Sequence, residues 1–197
     1  MGQVINVKNF HLAKCKKTTS SGVSTYTWET PQHIPGAMKL SIVPITAKGE
    51  QYGDGILAVK ISKRTGYTLG IDHNDIPSEL KRYLNGLTYK DGVETDDGGC
   101  TSNPVAFGCE HEKADGSVEK IWFLYCVADP IEEEVEQATS DIPISKDTIS
   151  LTALKLSEYN DRAYVKINSS DSNVTEDMIN NFFKKVQTET TISAPTE

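Results

Sequence analysis

The run Ile121-Trp122-Phe123-Leu124-Tyr125-Cys126-Val127 constrains the fold more than any other stretch. It is too short for a buried helix, and as a strand it is apolar on both faces. A strand of that kind needs cover on both sides and a place near the centre of a sheet. Gly, Asp, Asn, Ser and Thr punctuate the rest of the chain often, and the segments between them are short. That pattern favours strands over helices. The chain has 197 residues, which fits one domain with a real core.

Two further runs alternate with a period of two. Met38, Leu40 and Ile42 alternate with Lys39 and Ser41, and Leu57, Val59 and Ile61 alternate with Ala58, Lys60 and Ser62. A polar, Gly-rich tip, residues 48–55, joins them. Residues 38–63 therefore read as one long β-hairpin, and Pro44 marks its first strand as an edge or a bulge. A separate strand follows through Tyr67, Leu69 and Ile71.

One helix is predicted over 76–86, with Asp75 as its cap, Pro77 in its first turn and Gly86 as its stop. Leu80, Tyr83 and Leu84 share its inner face. Residues 1–30 read as an N-terminal arm and first strand, and 90–119 as loops around a short strand, Val105 to Cys109. After Pro130, Glu132, Glu134 and Glu136 point one way while Ile131, Glu133 and Val135 point the other. Strands are expected over 147–156 and from Tyr164 to Ile167. Asn173 with Glu176 resembles a capping box. Met178, Ile179, Phe182, Phe183 and Val186 then recur at helical spacing, with Lys184 and Lys185 at the end. Residues 31–187 form the domain, and 188–197 are expected as a disordered tail.

The chemistry-bearing residues do not assemble into a catalytic set. Cys109 and His111 would share a strand face, yet a structural zinc site wants four ligands. Asp72-His73-Asn74-Asp75 lacks the calcium-loop pattern and reads as a helix cap. Thr95-Asp96-Asp97-Gly98-Gly99 lacks the Lys-Ser/Thr of a phosphate loop. Cys15, Cys100, Cys109 and Cys126 form no C-x-x-C pair and read as free thiols. No cofactor or metal is expected, and the chain does not read as an enzyme. The net charge of −8 disfavours gripping a phosphate backbone. No apolar run approaches the ~20 residues that span a bilayer, and residues 1–10 lack a signal-peptide core. Synthesis and assembly in a cytoplasm are expected.

The order of segments resembles the major tail (tail tube) protein family of long-tailed, non-contractile bacteriophages and prophages. The opening "INVKNFHLAKC" is followed by a Thr/Ser turn and "TPQHIPGAMKLSIVP". The hairpin then runs into "RTGYTLGIDHNDIPSELKRYLNG". After it come "VAFGCEHEKADGSVEKIWFLYCVADPIEEEVEQAT", "ISLTALKL" and "MINNFFKKV". The specificity lies in the order and spacing of these weak motifs, which span most of the chain.

The resemblance implies two packed antiparallel sheets, a sandwich or barrel with one short flanking helix, a long hairpin and terminal arms. It also implies homo-hexameric rings stacked into a virion tail tube that conducts DNA without specific binding. Its partners would be itself and the tape measure, tail terminator and distal tail proteins, with no membrane. Under that reading Glu132, Glu134 and Glu136 face the channel or a subunit seam. The hairpin tip, Lys48, Glu50, Gln51, Tyr52 and Asp54, makes the ring-stacking contact. The same features fit the inner tube of a contractile phage tail, a phage-like bacteriocin or a secretion system. A β-sandwich ligand-binding module is the alternative from a different class, and an exposed aromatic platform would favour it.

Overall fold

The computed structural model describes residues 2–53, 56–96, 98–131, 146–189 and 192. The fold is mainly β, with two antiparallel sheets and few helices. The strands in chain order are β1 (Val4–Ser20), β2 (Val23–Trp28), β3 (Gln32–Ile34), β4 (Ala37–Gly53) and β5 (Ile56–His73). Helix α1 (Ser78–Asn85) follows, then β6 (Thr88–Lys90), β7 (Val93–Thr95), β8 (Val105–Lys113) and β9 (Val118–Ala128). The chain closes with β10 (Asp147–Leu154), β11 (Tyr164–Asn168) and helix α2 (Glu176–Asn181).

The larger sheet has nine strands, in the order β2-β1-β8-β9-β10-β5-β4, with β3 added to β1 and β11 added to β9. The smaller one is the β6–β7 hairpin. Pro35 and Gly36 alone join β3, at one end of that order, to β4 at the other. So short a link forces the two ends of the large sheet together, and the sheet curls. The Asn74 N–H donates to the Gly36 carbonyl at 3.1 Å across the join.

Strand β9 sits at the centre, as its apolar run requires. Ile121 and Phe123 point into the first core with Phe10, Leu69, Phe107 and Leu151. Trp122 and Leu124 point into a second core with Ala13, Cys15, Phe182 and Val186. The alternation then slips: Cys126 and Ala128 return to the first core. The register explains it, because Phe107 pairs Phe123 but Val105 pairs Cys126, which is a β-bulge. The same place divides the far edge of β9, with β11 pairing residues 119–123 and β10 pairing 126–128.

Helix α1 covers the first core with Leu80 and Leu84. Its end is set by Gly86, at φ 70°, where an added Cβ would lie 2.2 Å from the Thr101 carbonyl oxygen. Its start differs from expectation. Pro77 holds the cap position without a side-chain bond. The Ile76 N–H is satisfied by the Asp147 carboxylate at 2.7 Å, and Lys81 meets the same carboxylate at 2.8 Å. A partner from β10 replaced the local cap, which no window of sequence around Asp75 reveals. At α2 the cap is Thr175, which accepts from the Met178 N–H at 3.3 Å, in place of the Asn173 box. Helix α2 ends at Asn181, short of the two lysines.

Three more expectations are corrected. The N-terminal arm and first strand expected over residues 1–30 are built into the sheet as strand: β1 pairs β8 from Val4 to Lys14, and Phe10, Leu12, Ala13 and Cys15 are buried. Its bulges, between Val4 and Asn6 and between Lys8 and His11, broke the periodicity that would have given the strand its full length. The stretch 90–119 holds more strand than expected, since β8 runs on to Lys113 and β6 and β7 pair around an Asp91-Gly92 turn. At the C-terminus Thr188 is buried and Ile192 packs on the second core; the other residues of the expected tail, Glu189 apart, lie outside the described residues.

Gly108 lies directly opposite Trp122 across β8 and β9, and the indole covers it. A Cβ there would stand 2.9 Å from the ring. Gly108→Ala should cost about 1–3 kcal/mol, the usual range for overpacking a filled core. Urea unfolding followed by tryptophan fluorescence checks this, and an unchanged midpoint would contradict the packing described.

Candidate assembly surface

The long hairpin is the feature that the core does not account for. Strands β4 and β5 have 17 and 18 residues and pair from Ala37↔His73 to Gly53↔Ile56. The expected separate strand through Tyr67 is the lower half of β5. That half is pinned, because Leu69 and Ile71 are buried and β10 pairs its other edge. At Gly66 the support ends: an added Cβ would meet the Ala153 carbonyl oxygen at 2.6 Å, the last close contact to β10. Among described residues 46–65, every side chain placed is exposed.

The register sorts this projecting arm into two faces. Thr46 pairs Arg64, Lys48 pairs Ser62 and Glu50 pairs Lys60, so one face is polar. Glu50 holds Lys60 at 3.2 Å and accepts from the Tyr52 hydroxyl at 3.1 Å. On the other face Gly49 pairs Ile61 and Gln51 pairs Val59. It continues the outer side of β4 at Val43 and Ile45. Val43, Val59, Ile61 and Ile56 are 54%, 44%, 62% and 72% exposed. An apolar strip of this kind, outside any core, marks an interaction surface. Among the described residues strand β4 is also terminal in its sheet, so its outer edge carries unpaired backbone groups. Pro44 on that strand fits an edge position.

Of the expected tip residues, Lys48, Glu50, Gln51 and Tyr52 lie near the end of the arm, and Asp54 lies outside the described residues. The tip expectation missed the apolar strip behind it. Its alternation was visible in the sequence, but alternation alone cannot tell a face turned to the core from one turned away. Glu132, Glu134 and Glu136 lie outside the described residues. The described residues on either side of them are tied to the fold. Ile131 N–H donates to Asn85 at 3.2 Å, and Asp129 N–H to the Ser150 carbonyl at 2.9 Å. Lys146 meets Asp72 at 2.8 Å, which holds the Asp72 carboxyl below its usual range.

The other candidate residues have structural places. Cys109 Sγ lies 3.8 Å from His111 Nε2, and burial pushes its thiol far up. Among the described residues no three His, Cys, Asp or Glu side chains group as a metal site. Cys15, Cys100, Cys109 and Cys126 are free thiols, and burial raises Cys15 to about 11. His73 is buried; its Nδ1 accepts from the Asp75 N–H at 3.2 Å. Asp96 accepts from the Gly98 N–H at 3.0 Å, a turn bond. Trp28 and Trp122 donate at 2.9 Å to the carbonyls of Leu124 and Phe182. Neither forms an exposed aromatic platform. A shallow cavity of about 300 Å³ lies beside β11, lined by Arg162, Tyr164, Lys166, Glu189 and Ile192, with Arg162 paired to Glu189. No helix among the described residues is long and apolar enough to cross a membrane.

His11 was not anticipated. Its ring stacks on Phe183 at 4.3 Å and 10°, beside His33 at 5.0 Å, and its Nδ1–H donates to the Asn9 carbonyl at 2.8 Å. Lys120 lies over the same Phe183 ring at 5.1 Å and donates to the Ile179 carbonyl at 2.9 Å. These contacts clamp the C-terminal segment over the second core.

No known protein-family model matches the chain, and no curated protein matches it.

Burial lowers the His11 titration, assisted by the charges of His33 and Lys120 and opposed by the Asn9 bond and Glu110. His111 is lowered as well, chiefly by burial. Such groups bind fewer protons folded than unfolded just below an ordinary His pKa of about 6.5. Their contribution is therefore complete above about pH 6.5 and is lost as pH falls from there toward the folded values. Urea midpoints should decline on acidification through that window. His11→Gln with His111→Gln should flatten the decline, and an unaltered slope in the double variant would contradict the assignment.

Proposed function

We propose that the protein is the structural subunit of a phage tail tube, a virion tail component. It forms stacked, hexameric rings whose lumen conducts DNA from capsid to host. The observation that carries this reading is the projecting arm, residues 46–65, with its exposed apolar strip and the open edge of β4. A lone two-stranded hairpin is marginal in water. Set edge to edge with the arms of neighbours, its backbone groups find partners, and a closed barrel of arms has no edge left. The order of sequence motifs supports the reading from a separate direction. The net charge of −8 suits a wall past which DNA must slide. Tape measure, terminator and distal tail proteins are the partners that the resemblance adds.

Purified protein at rising concentration should give rings or tubes by negative-stain electron microscopy and sedimentation. Val59→Lys with Ile61→Lys should abolish them while leaving unfolding free energy within about 0.5 kcal/mol, as expected for exposed sites. Removal of residues 48–54 should leave soluble protein without long tubes. Normal tubes from either variant, or a chain that stays monomeric at every concentration and never lengthens a preformed tube, would overturn the proposal.

A further inference from the structure

Beside the second core the fold sets two histidines together. His11 on β1 and His33 on β3 are direct cross-strand partners, with ring centres 5.0 Å apart. Two imidazoles on one metal ion, each bonded at about 2.1 Å and set roughly 90–110° apart, have ring centres about 4.5–5.2 Å apart. The observed spacing falls inside that range. His33 is exposed, so water reaches the pair and can fill the remaining coordination positions.

The backbone aims His11. Strand β1 bulges between Lys8 and His11, and Asn9 sits there at φ 54°, a left-handed conformation that few non-glycine residues adopt. Bulges recur where a side chain is re-aimed. Here the Asn9 carbonyl meets His11 Nδ1 at 2.8 Å. A carbonyl only accepts, so Nδ1 carries the proton and the neutral ring keeps a lone pair on Nε2. Metal-bound histidines are held in this way, with the second ring nitrogen donating to a carbonyl or carboxylate. Phe183 stacks on the ring at 10° and fixes its plane. Asn9 is held in turn by Glu110, which accepts from its Nδ2 at 3.1 Å. Among the described residues no hydrogen bond engages His11 Nε2 or either nitrogen of His33. The Lys120 ammonium beside the pair opposes a second cation, and Glu110 offsets it at 3.5 Å.

We infer that His11 and His33 form a surface site for a divalent transition ion of the zinc, nickel or copper class, which imidazole suits. The site is a two-ligand clip with water completing the shell. Its place gives the clip a use. Strand β3 has three residues and three pairs to β1, and Pro35 and Gly36 alone lead from it to β4. An ion shared by His11 and His33 fastens that short strand, because it closes a loop between residues 22 positions apart. The pair lies outside the arm, so the inference stands apart from the tube reading.

The test titrates untagged full-length protein, stripped with a chelator, with zinc chloride alone in a calorimeter. One ion per chain is expected. Nickel should compete for the site, and magnesium, which prefers oxygen ligands, should not. His33→Gln should weaken zinc binding about tenfold or more, since removing even an outer partner of a metal site costs 10–100-fold. His33 is exposed, so this variant should keep the wild-type urea midpoint without metal. Saturating zinc should raise that midpoint in the wild type and leave it unmoved in His33→Gln. His11→Gln should lose zinc affinity to the same extent. Cys100→Ser and His111→Gln, which alter other donors within reach of solvent, should bind zinc as the wild type does. Full zinc affinity in His33→Gln, loss of affinity in Cys100→Ser, or no saturable binding below millimolar zinc would overturn the inference.

Discussion

Everything in this molecule leans on β9. Its side chains enter two cores at once, Phe123 into one and Trp122 into the other, and both are essentially shielded from water. Truncating either ring would cost about 3–5 kcal/mol, a large share of what holds a domain folded. Three strands bond to it: β8 along one edge, β10 and β11 sharing the other. The bulge near Leu124 makes that sharing possible. It rotates the strand so that Cys126 rejoins the first core, while the β11 half continues under α2.

The second core depends on the C-terminal segment more than its short helix suggests. Phe182 and Val186 are buried beneath it, and three groups hold the segment in place. The Trp122 indole N–H and the Lys120 ammonium each donate to a backbone carbonyl, and His11 stacks on Phe183. Lys120 also shares the buried Glu110 carboxylate with Lys8, at 3.5 Å each. A buried carboxylate between two ammonium groups is satisfied only while all stay in register. The N-terminal strand, β8, β9 and the C-terminal segment are thereby fixed as one unit.

The sequence made the central strand, the long hairpin and the Leu80–Leu84 helix legible, because each follows from a local pattern of apolar spacing. What stayed hidden depended on distant partners. The start of α1 is set by Asp147 from β10, and the extent of the first strand is masked by bulges that only β8 explains. The assembly surface was half legible. Alternation located the arm, but only the register shows that Val59 and Ile61 continue the outer side of β4 and not the core side.

That orientation leaves the strip and the edge of β4 facing outward together. The apolar strip is narrow, and Lys63 interrupts it beside Ala47. Charged residues on an exposed edge hairpin oppose unguided pairing with other strands. The open edge of β4 is thereby guarded against pairing with a random strand.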